Sequence, residues 1–381
     1  MANFYDYIKW RGDLEFERDP FNPVDNAIFS QLAYLPMDDI VPGPDESGSI
    51  SIEEAGEISA VKYKKYLSNI NIDYTITNGA KVIQAIRETS RYKDCRLFGF
   101  VNNIDFRRDK QFSAYCVRLN EKRNNNYMLV IFRGTDLNLA GWKEDMNMSF
   151  NNSVPAQKEA VSYLNKMAKR YSNPLIIAGH SKGGNLAIYA SAFCNKKPQR
   201  RIVRIYNNDG PGFLKDVIMS EGYKAICERI FTYIPQSSLV GMLLEHAEIP
   251  HVVKSSSVGL LQHDLPSWEV IYNNFVGAEL TEQCRFIDKV IRDWLDQIDE
   301  EQRELFIEAI YKILTAGNVQ SFADFPADFI GTALSMINVM KNMNDNTKKL
   351  ILKIIGSLFT ITGKNLGQQA AGIKDMLSGK R

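Results

Sequence analysis

The middle of the chain alternates short apolar runs with amphipathic stretches. Runs rich in aromatic and β-branched residues, each bounded by polar turns, predict strands. These runs are "RLFGFVNN", "FSAYCVRLN", "YMLVIFRGT", "PLIIAGH", "RIVRIYNND", "RIFTYIPQ" and "HVVKSSS". Two stretches between them, "AQKEAVSYLNKMAKRYS" and "KGGNLAIYASAFCN", have the apolar spacing of helices. Alternating strands and helices predict parallel pairing with helices on both faces. We therefore expect an α/β sandwich with a mostly parallel central sheet.

The two ends of the chain have different patterns from the middle. Prolines punctuate residues 1–55, where only "AIFSQLAYLPM" is apolar enough to form a helix docked on the main domain. Residues 56–279 form the predicted main α/β domain, which begins with amphipathic helices near 55–70 and 79–92. Strand patterns disappear after that domain, so 280–381 is predicted to be an all-helical appendage.

Composition and charge narrow the class of protein. The 381 residues are 45% hydrophobic and 24% charged, with a net charge of +1, which disfavours nucleic acid and anionic membranes as partners. No run has the length of a signal peptide or a membrane span. The five cysteines are scattered without a CxxC motif, which predicts free, mostly buried thiols and a cytoplasmic protein. We predict no metal and no cofactor.

The stretch "IAGHSKGGNLA" carries the strongest chemical signal. It places Ser181 in a G-x-S-x-G pentapeptide between an apolar strand and a helix, which is the pattern of a nucleophile elbow. Gly179 and Gly183 lack side chains, so that strand and helix can approach on either side of the serine. The alternative is a glycine-rich turn whose serine merely caps the helix.

The general base is sought among four histidines. His180 is expected to point away from the serine, and His251 opens a strand at the end opposite the expected site. His263 lies in the loop after the last predicted strand, which fits the Ser, Asp, His chain order of folds that contain a nucleophile elbow. His246, after an apparent helix "SSLVGMLLE", is the reserve candidate.

The acid is predicted to be Asp209, which ends the first strand after the elbow. Its carboxylate could orient the imidazole of the base and stabilise its charged form. The alternative is that Asp209 forms an Asx turn that caps the next helix. Glu245 and Asp264 are the other candidate acids.

The strand "LVIFRGT" supplies candidates for an oxyanion hole. Thr135 follows Gly134 at the strand end, where its groups can turn toward the serine. Lys182 begins the helix after the elbow, where its backbone N–H and the positive helix end favour a developing oxyanion. The loop over 136–150 mixes apolar and acidic residues and could cover a pocket.

These residues together resemble the lipase-like branch of the α/β-hydrolase fold. "FRGT", then Trp142 and Asp145, then "GHSKGG" resemble class 3 lipases, in which the residues at Thr135 and Ser181 serve the oxyanion hole and the nucleophile. That family carries its acid after the second strand beyond the elbow, here Ser237–Ser238, whereas pancreatic-type lipases carry it at the place of Asp209. "WRGDLEF", "YNNDGPGF", "IPQSSLVGMLLEH" and "QHDLPSWEV" resemble blocks of the bacterial Mbeg-like family of lipase-like proteins.

The sequence therefore predicts a serine hydrolase that cleaves an acyl ester through a triad of Ser181, Asp209 and His263. The resemblance implies a lipid or another small acyl ester as substrate. The main alternative is a catalytically weak hydrolase-fold protein that binds or regulates, with the helical appendage as a contact for an unknown protein partner. A third possibility is acyl transfer to an alcohol or a thiol by the same residues.

Overall fold

The computed structural model describes residues 2–68, 74–105, 110–119, 126–135, 153–238, 240–282 and 284–285. Its centre is an eight-stranded sheet in which neighbouring strands are also consecutive in the chain. The strands are Ile50–Ser51 (β1), Arg96–Asp105 (β2), Lys110–Arg118 (β3), Met128–Phe132 (β4), Leu175–His180 (β5), Ile202–Asn208 (β6), Ile230–Pro235 (β7) and His251–Val253 (β8). Val270–Ile271 (β9) and Asn274–Phe275 (β10) form a separate antiparallel ribbon.

The sheet changes direction at β4. The pairs from β1 to β4 are antiparallel, whereas those from β4 to β8 are parallel. The expected α/β sandwich with a mostly parallel sheet is confirmed, and its antiparallel part is β1 to β4. The connections on either side of β3 are shorter than the dozen residues that a parallel crossover requires, so these strands turn back on themselves.

Helices cover both faces of this sheet. They are Phe4–Arg11 (α1), Pro23–Leu32 (α2), Ile52–Lys62 (α3), Lys64–Ser68 (α4), Tyr74–Ile86 (α5), Pro155–Arg170 (α6), Lys182–Phe193 (α7), Lys196–Arg201 (α8), Lys215–Met219 (α9) and Glu221–Lys224 (α10). The helix predicted over 55–70 is interrupted at Tyr63, and the one predicted over 79–92 ends at Ile86.

Alternate residues of β4 belong to different cores. Leu129 and Ile131 lie in the core that the N-terminal helices α1, α2, α3 and α5 cover, whereas Val130 and Phe132 lie in the core beneath α6 and α7. Because successive strand residues face opposite sides of a sheet, a strand covered on both faces becomes continuously apolar. The first residues of the chain therefore complete one face of the sheet.

Several predictions concern residues outside this description. The loop over 136–150, with Trp142 and Asp145, and the helical appendage beyond residue 285 lie outside the described residues. Within the described helices, none is both long and apolar enough to cross a bilayer. The cysteines are free and, except for the half-buried Cys227, buried, as predicted; the cellular compartment stays a prediction.

Candidate active site

Ser181 lies at a sharp turn between β5 and α7. Its backbone has φ 56° and ψ −133°, and its side chain makes no hydrogen bond to the helix end. A positive φ is costly for a residue with a Cβ, and such strain is concentrated at functional sites. The alternative role of Ser181 as a simple helix cap is therefore wrong.

The glycines of the elbow are required by close backbone contacts. A Cβ added to Gly179 would lie 2.7 Å from the nitrogen of Gly184, and one added to Gly183 would lie 2.9 Å from the nitrogen of Gly134. Both distances are shorter than real Cβ contacts, so these two positions admit only glycine without movement of the backbone. The sequence pattern thus reflects the contact of β5, α7 and the end of β4.

Asp209 and His263 are in direct contact. Nδ1 of His263 lies 2.7 Å from Oδ2 of Asp209, although 54 residues separate them in the chain. Asp209 is buried directly after β6, has a φ of 52°, and accepts further hydrogen bonds at Oδ1 from the Ser238 hydroxyl and the Gly241 N–H. The alternative of an Asx turn is wrong, because the carboxylate binds groups from other loops and α9 begins after Leu214.

His263 also lies beside the elbow. Its carbonyl oxygen is 2.8 Å from Nε2 of His180, and the two imidazole rings have centroids 4.5 Å apart. Since His180 precedes Ser181, the pair of His263 and Asp209 adjoins the serine. Within the described part of the chain, no hydrogen bond joins the Ser181 hydroxyl to the His263 ring; catalytic hydrogen bonds often shorten only when substrate binds.

The other candidate acids engage different groups. The carboxylate of Asp264 accepts a hydrogen bond from Tyr74, and burial raises its pKa to about 6, against the opposing effects of that bond and of His263. Glu245 is exposed, and its backbone pairs with that of Phe213. Among the described residues, Asp209 is the only carboxylate hydrogen-bonded to the His263 ring.

The reserve base, His246, lies on the far side of the acid. Its ring nitrogens contact the Gly241 carbonyl at 2.9 Å and Glu248 at 3.1 Å. The helix expected before it is not found among the described residues 240–248, which form turns and a single bridge. His251 is exposed at the start of β8, as the pattern predicted.

The end of β4 adjoins the serine. A Cβ placed on Gly134 would lie 3.0 Å from Cβ of Ser181, so the "FRGT" segment reaches the elbow. Thr135 is buried next in the chain, and Lys182 is buried as the first residue of α7. Their roles as oxyanion donors stay predictions.

His180 makes two contacts that were not predicted. Its Nδ1 lies 2.7 Å from the Tyr34 hydroxyl, and its Nε2 faces the His263 carbonyl. Burial and the neighbouring charge of His263 lower the pKa of His180 well below its usual range, despite the bond to that carbonyl. The ring is therefore neutral, with its proton on Nε2 because a carbonyl can only accept, and Tyr34 donates to Nδ1.

Buried asparagines hold the loops of the site. The Asn208 amide donates to the Gly179 carbonyl at 3.0 Å, and the Asn185 amide donates to the Gly212 carbonyl at 2.9 Å. These bonds tie the elbow to β6 and to the turn after Asp209. The letters "GGN" and "YNND" indicated polar residues here, but no local pattern indicated their partners.

Comparison with known proteins gives distant structural neighbours. The native Rhizomucor miehei lipase propeptide complex shares 15% identity over 54% of this chain and 70% of its own, with a TM-score of 0.33. The M37 lipase shares 12% identity over 58% of this chain and 69% of its own, with a TM-score of 0.36. No curated protein matches the chain.

Comparison with protein families gives a match to more than half of the chain. The model of the Mbeg1-like family matches residues 86–312, a range that includes the elbow, Asp209 and His263. The chain therefore belongs to the Mbeg1-like family.

Proposed function

We propose that this protein is a serine hydrolase that cleaves an acyl ester through an acyl-enzyme. One arrangement carries the proposal: a strained serine that caps no helix adjoins a histidine whose Nδ1 contacts a buried carboxylate. A nucleophile, a base and a group that orients the base are the parts that nucleophilic acyl transfer requires. Ser181, His263 and Asp209 supply them in that order.

The chemistry follows from the protonation of His263. Because the Asp209 carboxylate accepts the proton on Nδ1, a neutral His263 has its lone pair on Nε2 and can act as a base there. His263 takes the proton of Ser181 as the hydroxyl attacks the acyl carbon. The N–H groups at Thr135 and Lys182 then stabilise the oxyanion, and water activated by His263 releases the acid.

The proposed substrates are lipids or other small acyl esters. This class follows from the resemblance of "FRGT" and "GHSKGG" to lipases and from an elbow that suits acyl chemistry. The proposed reaction uses only groups of the chain and water.

A fluorophosphonate probe and p-nitrophenyl esters of several chain lengths test the proposal. We expect the probe to label the wild type and Ser162→Ala, whose serine is exposed on α6 and donates to the carbonyl of Lys158 in the same helix. Ser181→Ala should lose both labelling and ester turnover. A folded wild type that is neither labelled nor active on any chain length would contradict the proposal and favour a binding or regulatory protein. Acyl product that forms only with an added alcohol or thiol would instead identify a transferase.

A further inference from the structure

His246 is a buried histidine that the proposed reaction does not use. Its side chain is 7% exposed, with Nε2 at 2.9 Å from the Gly241 carbonyl and Nδ1 at 3.1 Å from Oε1 of Glu248. A carbonyl and a carboxylate are both acceptors, so each ring nitrogen must carry a proton to bond to them. With both protons on the ring, Nε2 donates to the Gly241 carbonyl and Nδ1 donates to Glu248.

The surroundings of Glu248 favour its ionised form. Its carboxylate also accepts hydrogen bonds from the hydroxyls of Thr232, at 2.5 Å, and Tyr223, at 2.6 Å. Burial alone would raise its pKa, but the bond and charge of His246 and the two hydroxyls lower that pKa to about 2. The carboxylate that His246 contacts is thus itself held in place by β7 and α10.

Gly241 links this ion pair to the candidate acid. Its N–H lies 3.2 Å from Oδ1 of Asp209 and 2.9 Å from the Ser238 hydroxyl, while its carbonyl is the group that His246 binds. A Cβ at this position would lie 2.6 Å from Cγ2 of Ile234, so glycine is required. Glycine has the most permissive backbone, and its peptide groups need an external partner to keep one orientation.

We propose that His246 is a positioning residue for the triad acid. By holding the Gly241 carbonyl, it keeps the Gly241 N–H directed at Oδ1 of Asp209, which leaves Oδ2 directed at Nδ1 of His263. Without this hold, the Asp209 carboxylate loses one of its donors and can turn away from His263. The expected effect of His246 on catalysis rests on the proposed function, whereas its expected effect on the His263 tautomer does not.

The test is the ¹⁵N NMR spectrum of the histidine rings in the full chain. Ring nitrogen shifts report which nitrogens carry protons, and four histidines can be assigned by single substitutions. We expect His246 to carry a proton on Nε2 and His263 to carry its proton on Nδ1. His246→Ala should convert His263 to a mixture of tautomers, whereas His246→Gln, whose amide can still donate to Gly241, should retain most of the Nδ1–H form. His251→Ala, at an exposed site, is the matched control.

Ester hydrolysis gives a second readout. The loss of one hydrogen bond to a charged group predicts a decrease of about tenfold in kcat for His246→Ala, with little change in KM and partial rescue by His246→Gln. A folded His246→Ala protein with an unchanged His263 tautomer would overturn the proposal. If that variant does not fold, a wild-type His246 that carries no proton on Nε2 would overturn it equally, because such a ring cannot donate to the Gly241 carbonyl. If His246→Ala changes the His263 tautomer but the wild type hydrolyses no ester, the proposed hydrolase activity is rejected and the positioning role of His246 is retained.

Discussion

The hydroxyl of Ser238 donates a hydrogen bond to Oδ1 of Asp209, although the two residues follow different strands of the sheet. The sequence predicts a resemblance to class 3 lipases, which carry their acid at the place of Ser237–Ser238, whereas Asp209 lies one strand earlier. The two possible places for an acid are therefore adjacent in space. We therefore expect that a carboxylate at either strand end could reach the same histidine; this chain supplies a carboxylate from one end and a hydroxyl from the other.

Replacement of the acid is expected to reduce turnover far more than replacement of the other candidates. Asp209→Asn should decrease kcat by roughly 10⁴-fold, since an amide cannot hold the imidazole in the required tautomer or stabilise its charge. Asp264→Asn and Glu245→Gln, which alter carboxyls that do not contact the His263 ring, should remain within about threefold of wild type. Steady-state hydrolysis of p-nitrophenyl esters measures both effects. Near-wild-type activity in Asp209→Asn would move the assignment to Asp264 or Glu245.

The adjacency of the two strand ends predicts that the acid can be moved. Asp209→Ser combined with Ser238→Asp exchanges the carboxylate and the hydroxyl across their hydrogen bond. We expect the double variant to regain about tenfold or more of the activity that Asp209→Ser loses, because the new carboxylate approaches the same Nδ1. The matched control is Asp209→Ser with Ser237→Asp, since the Ser237 hydroxyl contacts Thr281 instead. Equal activity in the two double variants would argue against this geometry.

The contact between Tyr34 and His180 is expected to affect catalysis indirectly. Tyr34→Phe removes the donor to Nδ1 of His180, which lets the neutral ring change tautomer and release the His263 carbonyl. One lost hydrogen bond predicts a decrease of about three- to tenfold in kcat with KM nearly unchanged. Tyr272→Phe, at a residue 72% exposed, is the control. An unchanged kcat in Tyr34→Phe would show that His180 does not hold the base.

The lowered pKa of Glu248 predicts that the folded protein loses stability in acid. Its folded pKa of about 2 lies below the unfolded value of 4.5, so its contribution is fully present above pH 4.5 and is lost as the pH falls toward 2. The shift corresponds to a contribution on the order of 3 kcal/mol to the free energy of unfolding. Urea unfolding at pH 6 and pH 3 should show a smaller decrease for Glu248→Gln than for wild type. Parallel decreases in the two proteins would contradict the contribution, and Glu279→Gln, at an exposed carboxyl, is the control.

The raised pKa of Asp264 predicts the opposite dependence of stability on pH. Its folded pKa of about 6 lies above the ordinary 3.8, so the folded state keeps a proton that the unfolded chain releases, and stability decreases as the pH rises through this window. Asp264→Asn should therefore be more stable than wild type at pH 8, by about 2 kcal/mol after allowance for partial exposure, and nearly equal at pH 3.5. Thermal unfolding at the two pH values measures the difference. A stabilisation of the same size at both values would point to a cause other than ionisation.

The fold could be predicted because its signals are local. Each strand of the sheet from Arg96 onward was visible as an apolar run, and the elbow glycines were visible because their contacts exclude every side chain. The direction of β2 and β3 was not visible, since parallel and antiparallel strands have similar composition and the length of the connection decides between them. The helix predicted before His246 is absent from the described residues 240–248, where Leu244 has a φ of 66° that no α-helix allows.

The sequence by itself determined the strand–turn–helix around Ser181 and the chain order that made Asp209 and His263 candidates. Only the tertiary structure decided which carboxylate meets the imidazole, because Asp209, Glu245 and Asp264 all lie outside the strands and α-helices. It also decided that His180 contacts Tyr34, 146 residues earlier in the chain. Local backbone preferences depend on neighbouring residues, whereas the direction of a side chain in a loop depends on distant segments that fold against it.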